Sequence, residues 1–371
     1  MTYFISLSII IIFACTYKHA DTSWRFLKSP QYVITFLVLT CIAGFAYELG
    51  ADTDEYLSFY RGLAPIEKLN RNIIESYRYQ AGFTIFCSFL RQVSDNYLLF
   101  QIVHALLLNI VIFRFVKKFS TNPYLALLVY CVVNFLEFNF EIQRESLAVV
   151  CGMFAFEMWE MGKKYIALGF VVLGYFFHFS ILAILFLPLI QKFKPTNKNL
   201  TILVVMAALS PWVWQAIPNA ELLLALTTDQ DFYEHYINQS LTENYNLFYY
   251  VNFYLVNIII PGVALFILRN KEYKYKNLII GFMVFRSMSL FSYAFYRFSN
   301  FYAPFYWIIL GEALYYLVSK YKSAKFIIVI ASVYFIFNIN NTKLMWFDPA
   351  TGKKNYERYY PYVSVFEDNK Y

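Results

Sequence analysis

Charge is scarce in this chain. Only 15% of its residues are charged, against roughly 25% in soluble domains. Hydrophobic residues make up 60%, and mean hydropathy is +0.47. That scarcity excludes an ordinary soluble fold and places the protein in a bilayer. Alternation of period two is also missing, since apolar runs such as 255–268 are continuous. In lipid, backbone polar groups must be satisfied internally, which leaves helices or a closed barrel. A barrel needs the alternation that is absent. The fold class expected is therefore all-α, a polytopic transmembrane helical bundle of about ten to twelve membrane segments.

Other absences narrow the chemistry. The five cysteines (Cys15, Cys41, Cys87, Cys131, Cys151) form no Cys-x-x-Cys pair. They read as small buried apolar residues, neither ligands nor disulfides. Ile12-Phe13-Ala14-Cys15 is faintly like a lipoprotein cleavage box, but Phe13 fits it badly and no basic residue precedes the run. An uncleaved first helix is expected. There is no G-x-S-x-G and no acid at the fixed spacing of a Ser-His-Asp hydrolase. No His-Glu-x-x-His or other metal-ligand spacing occurs, and no Gly-rich phosphate loop. Neither metal nor cofactor is expected, and ATP-driven transport by this chain alone is unsupported. No internal repeat is visible.

Apolar runs predict helices near 2–17, 31–47, 97–116, 123–140, 145–161, 199–218, 247–268, 277–297, 299–318 and 325–340. The basic residues set an orientation. Lys18, Arg25 and Lys28; Arg114, Lys117 and Lys118; Lys163 and Lys164; Lys192, Lys194 and Lys198; Arg269, Lys271, Lys274 and Lys276; and Lys320, Lys322 and Lys325 fall in one set of connections. By the positive-inside rule that set is cytoplasmic. The run 165–190 is then too long for one span, at about 39 Å as a straight helix. It reads as two half-length helices bent near His178 and meeting toward the outer face. The alternative is one tilted helix. The expected organisation is a single transmembrane domain, 1–340, with outer-face segments 48–96 and 219–246 and an outer tail, 341–371. Segment 48–96 carries Asp52, Asp54, Glu55 and a short amphipathic stretch, 83–90. Segment 219–246 is acidic, with Asp229, Asp231, Glu234 and His235.

Polar residues inside apolar sequence are the candidates for function. Asn134, Glu137 and Glu141 fall at i, i+3 and i+7, and Arg144 and Glu145 extend the stripe on a continuous helix. An arginine at a span centre costs about 2.5–3.5 kcal/mol, and anion binding is a fitting return. The bland alternative is a buried Glu141–Arg144 pair that only fixes packing. Arg286, Ser289, Tyr293, Arg297 and Asn300 form a second stripe, which puts Arg286 and Arg297 on one face about 16 Å apart along a helix. Two guanidinium forks suit a phosphate; pairing with Glu137 or Glu312, or snorkelling, is the alternative. His178 with Ser180 lies at the expected helix break. Asp52 and Asp54 suit general-base work or a solvated loop equally.

These residues also fall into a family order. Gly50-Ala-Asp52-Thr-Asp54-Glu-Tyr56, with Tyr60, is similar to a G-x-D-x-x-x-Y segment. Tyr79-Gln80-Ala81-Gly82-Phe83 is similar to E-P-G-F, Gln143-Arg144-Glu145-Ser146-Leu147-Ala148 to I-R-Q-x-L-A, and His178-Phe179-Ser180 to H-x-S. Arg297 to Tyr302 and Tyr360-Pro361-Tyr362 match looser features. Over nearly its whole length the chain resembles the EpsG-like, Wzy-type bacterial polysaccharide polymerases. It departs from them at Gln80 and Ala81, where Glu-Pro is usual, and at Glu145, where Gln is usual.

The resemblance implies a glycosyltransferase at the outer face of the bacterial cytoplasmic membrane. Its donor and acceptor would be glycans on polyprenyl (undecaprenyl) diphosphate, and its product a capsule, exopolysaccharide or O-antigen. Implied partners are those lipid-linked glycans and the bilayer, with a chain-length regulator as a further candidate and no nucleic acid. On this reading Arg144, Arg297 and Arg286 bind the departing diphosphate, with His178 assisting. Asp52 or Asp54 orients or deprotonates the acceptor hydroxyl. Tyr56, Tyr360 and Tyr362 offer stacking faces to sugars, and Glu145 and Tyr293 complete the substrate-binding set. The competing functions are a flippase for lipid-linked sugars, and a glycan ligase or O-acyltransferase using His178 as base.

Overall fold

The computed structural model describes residues 2–17, 29–47, 49–192, 196–215, 247–271, 273–290, 293–340 and 355–367. Segment 219–246, with Asp229, Asp231, Glu234 and His235, lies outside the described residues, as does the tail up to 354. The described chain is all-α. Its only β feature is one isolated antiparallel bridge, Ala46 to Ser364. By internal contacts it forms two compact units. The first comprises residues 1–119, 130–178 and 341–371, the second 120–129 and 179–340.

The first unit opens with α1 (Thr2–Thr16) and α2 (Pro30–Gly44). Three helices then occupy the segment expected to be outer: α3 (Thr53–Gly62), α4 (Arg71–Ser76) and α5 (Ala81–Val93). The sequence revealed only part of this, the amphipathic stretch 83–90. In α3, Tyr56 and Tyr60 lie four apart and so share a face, which buries against Tyr79, Phe83, Tyr97 and Phe100. Asp54 and Glu55 in its first turn and Arg61 in its last complement the helix dipole. In α5, Phe83, Cys87 and Leu90 supply the matching buried face.

Helix α6 (Tyr97–Phe119) is 23 residues long, about 34 Å, and apolar enough to cross a membrane. Asn96 Oδ1 accepts the Leu98 amide at its start, and Lys117 and Lys118 close its last turn. Its buried polar groups tie neighbouring segments together. Gln101 donates to the Ala46 carbonyl, and His104 Nε2 meets the Gln143 carbonyl and Ser146 Oγ. After α7 (Pro123–Val133) come α8 (Gln143–Glu160) and α9 (Lys164–Tyr175), packed together partly through the stacked rings of Phe154 and Phe170. Near the end of α8 the fully buried Glu157 carboxylate binds Arg114 at 2.5 Å and Lys118 at 3.1 Å. Glu157→Ala would leave Arg114 without its carboxylate, and breaking a buried pair is costly. A clearly lower Tm of the purified protein in detergent is the expected result.

In the second unit a 3₁₀ run (Phe179–Phe186) leads into α10 (Leu187–Gln191) and α11 (Asn197–Gln215). Helices α12 (Leu247–Tyr254) and α13 (Ile260–Ile267) are joined by a π-helical turn at Leu255–Ile259, and 250–267 is a second helix of spanning length. Then follow α14 (Ile279–Met288), α15 (Tyr293–Asn300), α16 (Ala303–Lys320) and α17 (Lys325–Asn340). Helices α15 and α16 bend by 55° across Phe301 and Tyr302, where Pro304 restarts the chain, and form a third candidate span. The remaining apolar helices are shorter.

Candidate functional site

The expected stripe from Asn134 to Glu145 on one continuous helix is not what forms. Helix α7 ends at Val133, a π turn occupies Glu137–Glu141, and Ile142 (φ −91, ψ 47) leaves helical geometry before α8 restarts at Gln143. A π turn closes i to i+5, and the Ile142 amide accordingly donates to the Glu137 carbonyl at 3.0 Å. The extra residue and the break rotate the polar side chains away from one another. Asn134 still reaches Glu137, at 3.3 Å. Glu141 and Arg144 turn to different partners, so the Glu141–Arg144 pair does not form.

Arg144 starts the first turn of α8 and is half-buried. One guanidinium nitrogen donates to Gln80 Oε1, and the guanidinium lies over the Tyr79 ring, 4.3 Å from its centroid. Its buried Nε has no hydrogen-bond partner among the described residues. Among the described residues Arg144 makes no ion pair. A cation met by an amide oxygen and an aromatic face has no carboxylate compensating it there, which leaves it able to take an anion. Tyr79 is fixed in turn by Tyr56 and Phe83, at 5.6 and 5.7 Å between centroids. Burial, followed by the nearby Tyr56 phenol, pushes the Tyr79 hydroxyl pKa up, so the ring stays neutral under the guanidinium.

The Gly50-Ala-Asp52 segment docks on the π turn that precedes this arginine in the chain. Gly50 has φ +98, and a Cβ there would stand 2.5 Å from the Phe140 carbonyl oxygen. Only glycine allows the chain to pass this close. Its amide donates to the Arg358 carbonyl of the tail at 2.9 Å. The next amide, Ala51, approaches Glu141 Oε1 at 3.5 Å, and Arg358 approaches the same oxygen at 3.7 Å. Tyr359 packs on Phe140 and its side chain hydrogen-bonds the Glu141 carboxylate. Asp52 is the N-cap residue of α3 and contributes its negative charge to Glu141's surroundings. Asp54 lies exposed two residues on, in the first turn.

The Tyr79–Phe83 segment makes a second crossing. The Gly82 amide donates to the Phe176 carbonyl at 2.9 Å, and a Cβ on Gly82 would sit 2.7 Å from that oxygen. Phe176 caps α9, which stops at Tyr175; His178 is buried in the non-helical link before the 3₁₀ run. The break expected near His178 is thus present. Four separated motifs are joined by specific contacts: Gly50 to Phe140, Gln80 to Arg144, and Gly82 to the turn leading into His178.

The second unit holds Arg286 and Arg297. They do not share one straight helix, because α14 ends at Met288 and α15 begins at Tyr293. The expected spacing of about 16 Å along one axis therefore does not apply. Arg286 is buried, donates to Asn257 Oδ1 (3.1 Å) and Ser299 Oγ (3.4 Å), and stacks over Tyr296 at 3.9 Å. Asn257 sits in the π turn, its amide nitrogen satisfied by the Phe253 carbonyl at 2.8 Å. Here too the arginine's partners are neutral, and no ion pair to Arg286 occurs among the described residues. Glu312, an alternative partner in the sequence reading, binds Thr121 through both its amide and its hydroxyl. Arg297 is half-buried on α15. The Tyr293 side chain lies outside the described residues.

Two expectations about rings change. Tyr56 is buried against Tyr79 and Phe83, so it supports Tyr79 and offers no open face to a sugar. Tyr362 is half-buried, with its hydroxyl on the Ile42 carbonyl and its ring edge-on to Tyr3, whereas Tyr360 is exposed. Glu145 is buried in the first turn of α8. Gln80, Tyr79, Arg358 and Tyr359 are the contributors that sequence reasoning gave no such role. Only long-range contact reveals them.

Against known proteins, the family model described as EpsG family matches residues 31–364. No curated protein and no solved structure matches the chain.

Proposed function

The chain belongs to the EpsG family, and from that premise we propose that it joins lipid-diphosphate-linked oligosaccharide repeat units into a surface polysaccharide. Membership makes it a polysaccharide polymerase-related membrane protein. The finer reading is a glycosyltransferase working at the outer face of the bacterial cytoplasmic membrane on undecaprenyl-diphosphate-linked donor and acceptor. The observation that carries it is Arg144, a guanidinium with neutral partners where the family's motifs meet. A leaving diphosphate gains charge as its bond to the anomeric carbon breaks, and a pre-placed cation stabilises that charge. Arg286 and Arg297 serve the second unit as further phosphate-binding cations, and His178 assists Arg144 by hydrogen bond or charge. Asp52 orients the acceptor hydroxyl, and exposed Tyr360 offers a face to a sugar.

The test pairs a deletion strain with the purified protein. The strain should accumulate single repeat units on lipid at the outer face, and the protein alone should convert them into a chain-length ladder. Absence of units at the outer face would point to a flippase, and long chains left unattached to a ligase. The aromatic support of Arg144 adds a quantitative prediction. A cation–π contact of this kind contributes about 1 kcal/mol, so Tyr79→Leu should raise KM for the lipid-linked unit about fivefold, read from initial rates.

A further inference from the structure

Glu141 is a carboxylate of the first unit held by contacts from distant parts of the chain. It ends the π turn, and two other segments converge on it: the Ala51 amide before α3, and the tail through Arg358 and Tyr359. It keeps 21% of its side chain exposed, so it is gripped without being sealed. It lies three residues before Arg144, so their Cα atoms are no more than about 11 Å apart. That span fits one sugar ring between a group gripping the diphosphate and a group serving the incoming hydroxyl. Asp54, by contrast, is exposed on α3.

We propose that Glu141 is the general base of the transfer, and that Arg358 and Tyr359 are positioning residues that fix its carboxylate. The inference rests on the polymerase reading above and deepens it. The acceptor O–H oxygen forms a bond to the donor's anomeric carbon while that carbon's bond to the diphosphate oxygen breaks. The electron pair leaves with the lipid diphosphate, and the acceptor proton passes to Glu141. No oxidant or further reactant is needed.

The electrostatics agree. Burial raises the Glu141 pKa above the usual carboxylate value; the Tyr359 hydrogen bond opposes this, Glu137 and Asp52 add to it, and Arg358 opposes it. A raised pKa makes a carboxylate a better proton acceptor near neutrality. Since the base must be ionised, activity should fall on the acid side through this raised pKa. Removing Arg358's charge or Tyr359's hydrogen bond raises it further and moves that limb to higher pH. Removing the like charge of Asp52 moves it to lower pH.

A purely structural Glu141, a strut tying the tail to the π turn, makes a different prediction. Glutamine keeps the acceptor oxygen that meets Ala51 and Tyr359, so a strut tolerates Glu141→Gln and a base does not. The experiment uses full-length protein in lipid nanodiscs and undecaprenyl-diphosphate-linked repeat units from a polymerase-deficient strain. Glu141→Gln should lower kcat by about a hundredfold or more with KM and Tm little changed. Arg358→Gln and Tyr359→Phe should stay active at alkaline pH, with the acid limb of kcat/KM displaced upward. Wild-type kcat in Glu141→Gln, or an unmoved acid limb in both tail variants, overturns the inference alone. Wild-type protein that elongates nothing overturns the polymerase reading and this inference with it.

Discussion

Arg144→Ala protein, supplied with lipid-linked repeat units, is expected to form no polymer ladder, and its turnover should fall by at least about a hundredfold, as when one preorganised charge-stabilising donor is removed. The expectation follows from what surrounds the guanidinium. Its contacts among the described residues are the Gln80 amide oxygen and the Tyr79 ring, with no carboxylate to compensate its positive charge. Truncation leaves no buried charge behind, and half-buried Gln80 can be rehydrated. The variant should therefore fold with an unchanged Tm. Arg144→Lys keeps the charge but loses the planar fork that stacks on Tyr79. It should recover only part of the rate. A full ladder from Arg144→Ala would remove this residue from the chemistry.

Gly50→Ala should be the most damaging single-methyl change in the first unit. The new Cβ meets the Phe140 carbonyl at 2.5 Å, and φ +98 is a conformation L side chains rarely adopt. Neither side yields readily, because the Gly50 amide is held by the Arg358 carbonyl and Phe140 belongs to the π turn. Strain and overpacking together cost at least about 2 kcal/mol. Both folded yield and polymerisation should drop, since displacing Gly50 also pulls Ala51 and the tail from Glu141. Gly62→Ala is the control. A methyl there meets nothing within 4 Å, so yield and activity should match wild type.

Most helices were legible because hydropathy alone decides where a chain enters lipid. The ends of α1, α2, α6 and α8 fall within a few residues of the apolar runs that predict them. What the runs conceal is interruption. Nothing in Asn134 to Glu145 announces a π turn, because a single extra residue per turn changes no composition. Treating the helix as continuous therefore put Glu141 and Arg144 on one face when each has its own partners. The same error joined Arg286 to Arg297 across the break after Met288. Segment 48–96, expected to be outer, hid its helices because α3 and α5 are short and bury aromatic faces on protein. Gln80 and Arg144 are 64 residues apart, and the Arg358 and Tyr359 contacts to Glu141 link the tail to the interior of the chain. Motif spacing carries no distance information of that kind. Only the order of the motifs suggested that they meet.

The most direct test of an arginine kept free for a lipid diphosphate is equilibrium binding of undecaprenyl diphosphate itself, without sugar, to purified protein in nanodiscs. Wild-type protein should bind it, and Arg144→Ala should bind it at least about tenfold more weakly, a loss of about 1.4 kcal/mol. Equal affinity in the two proteins would contradict the account.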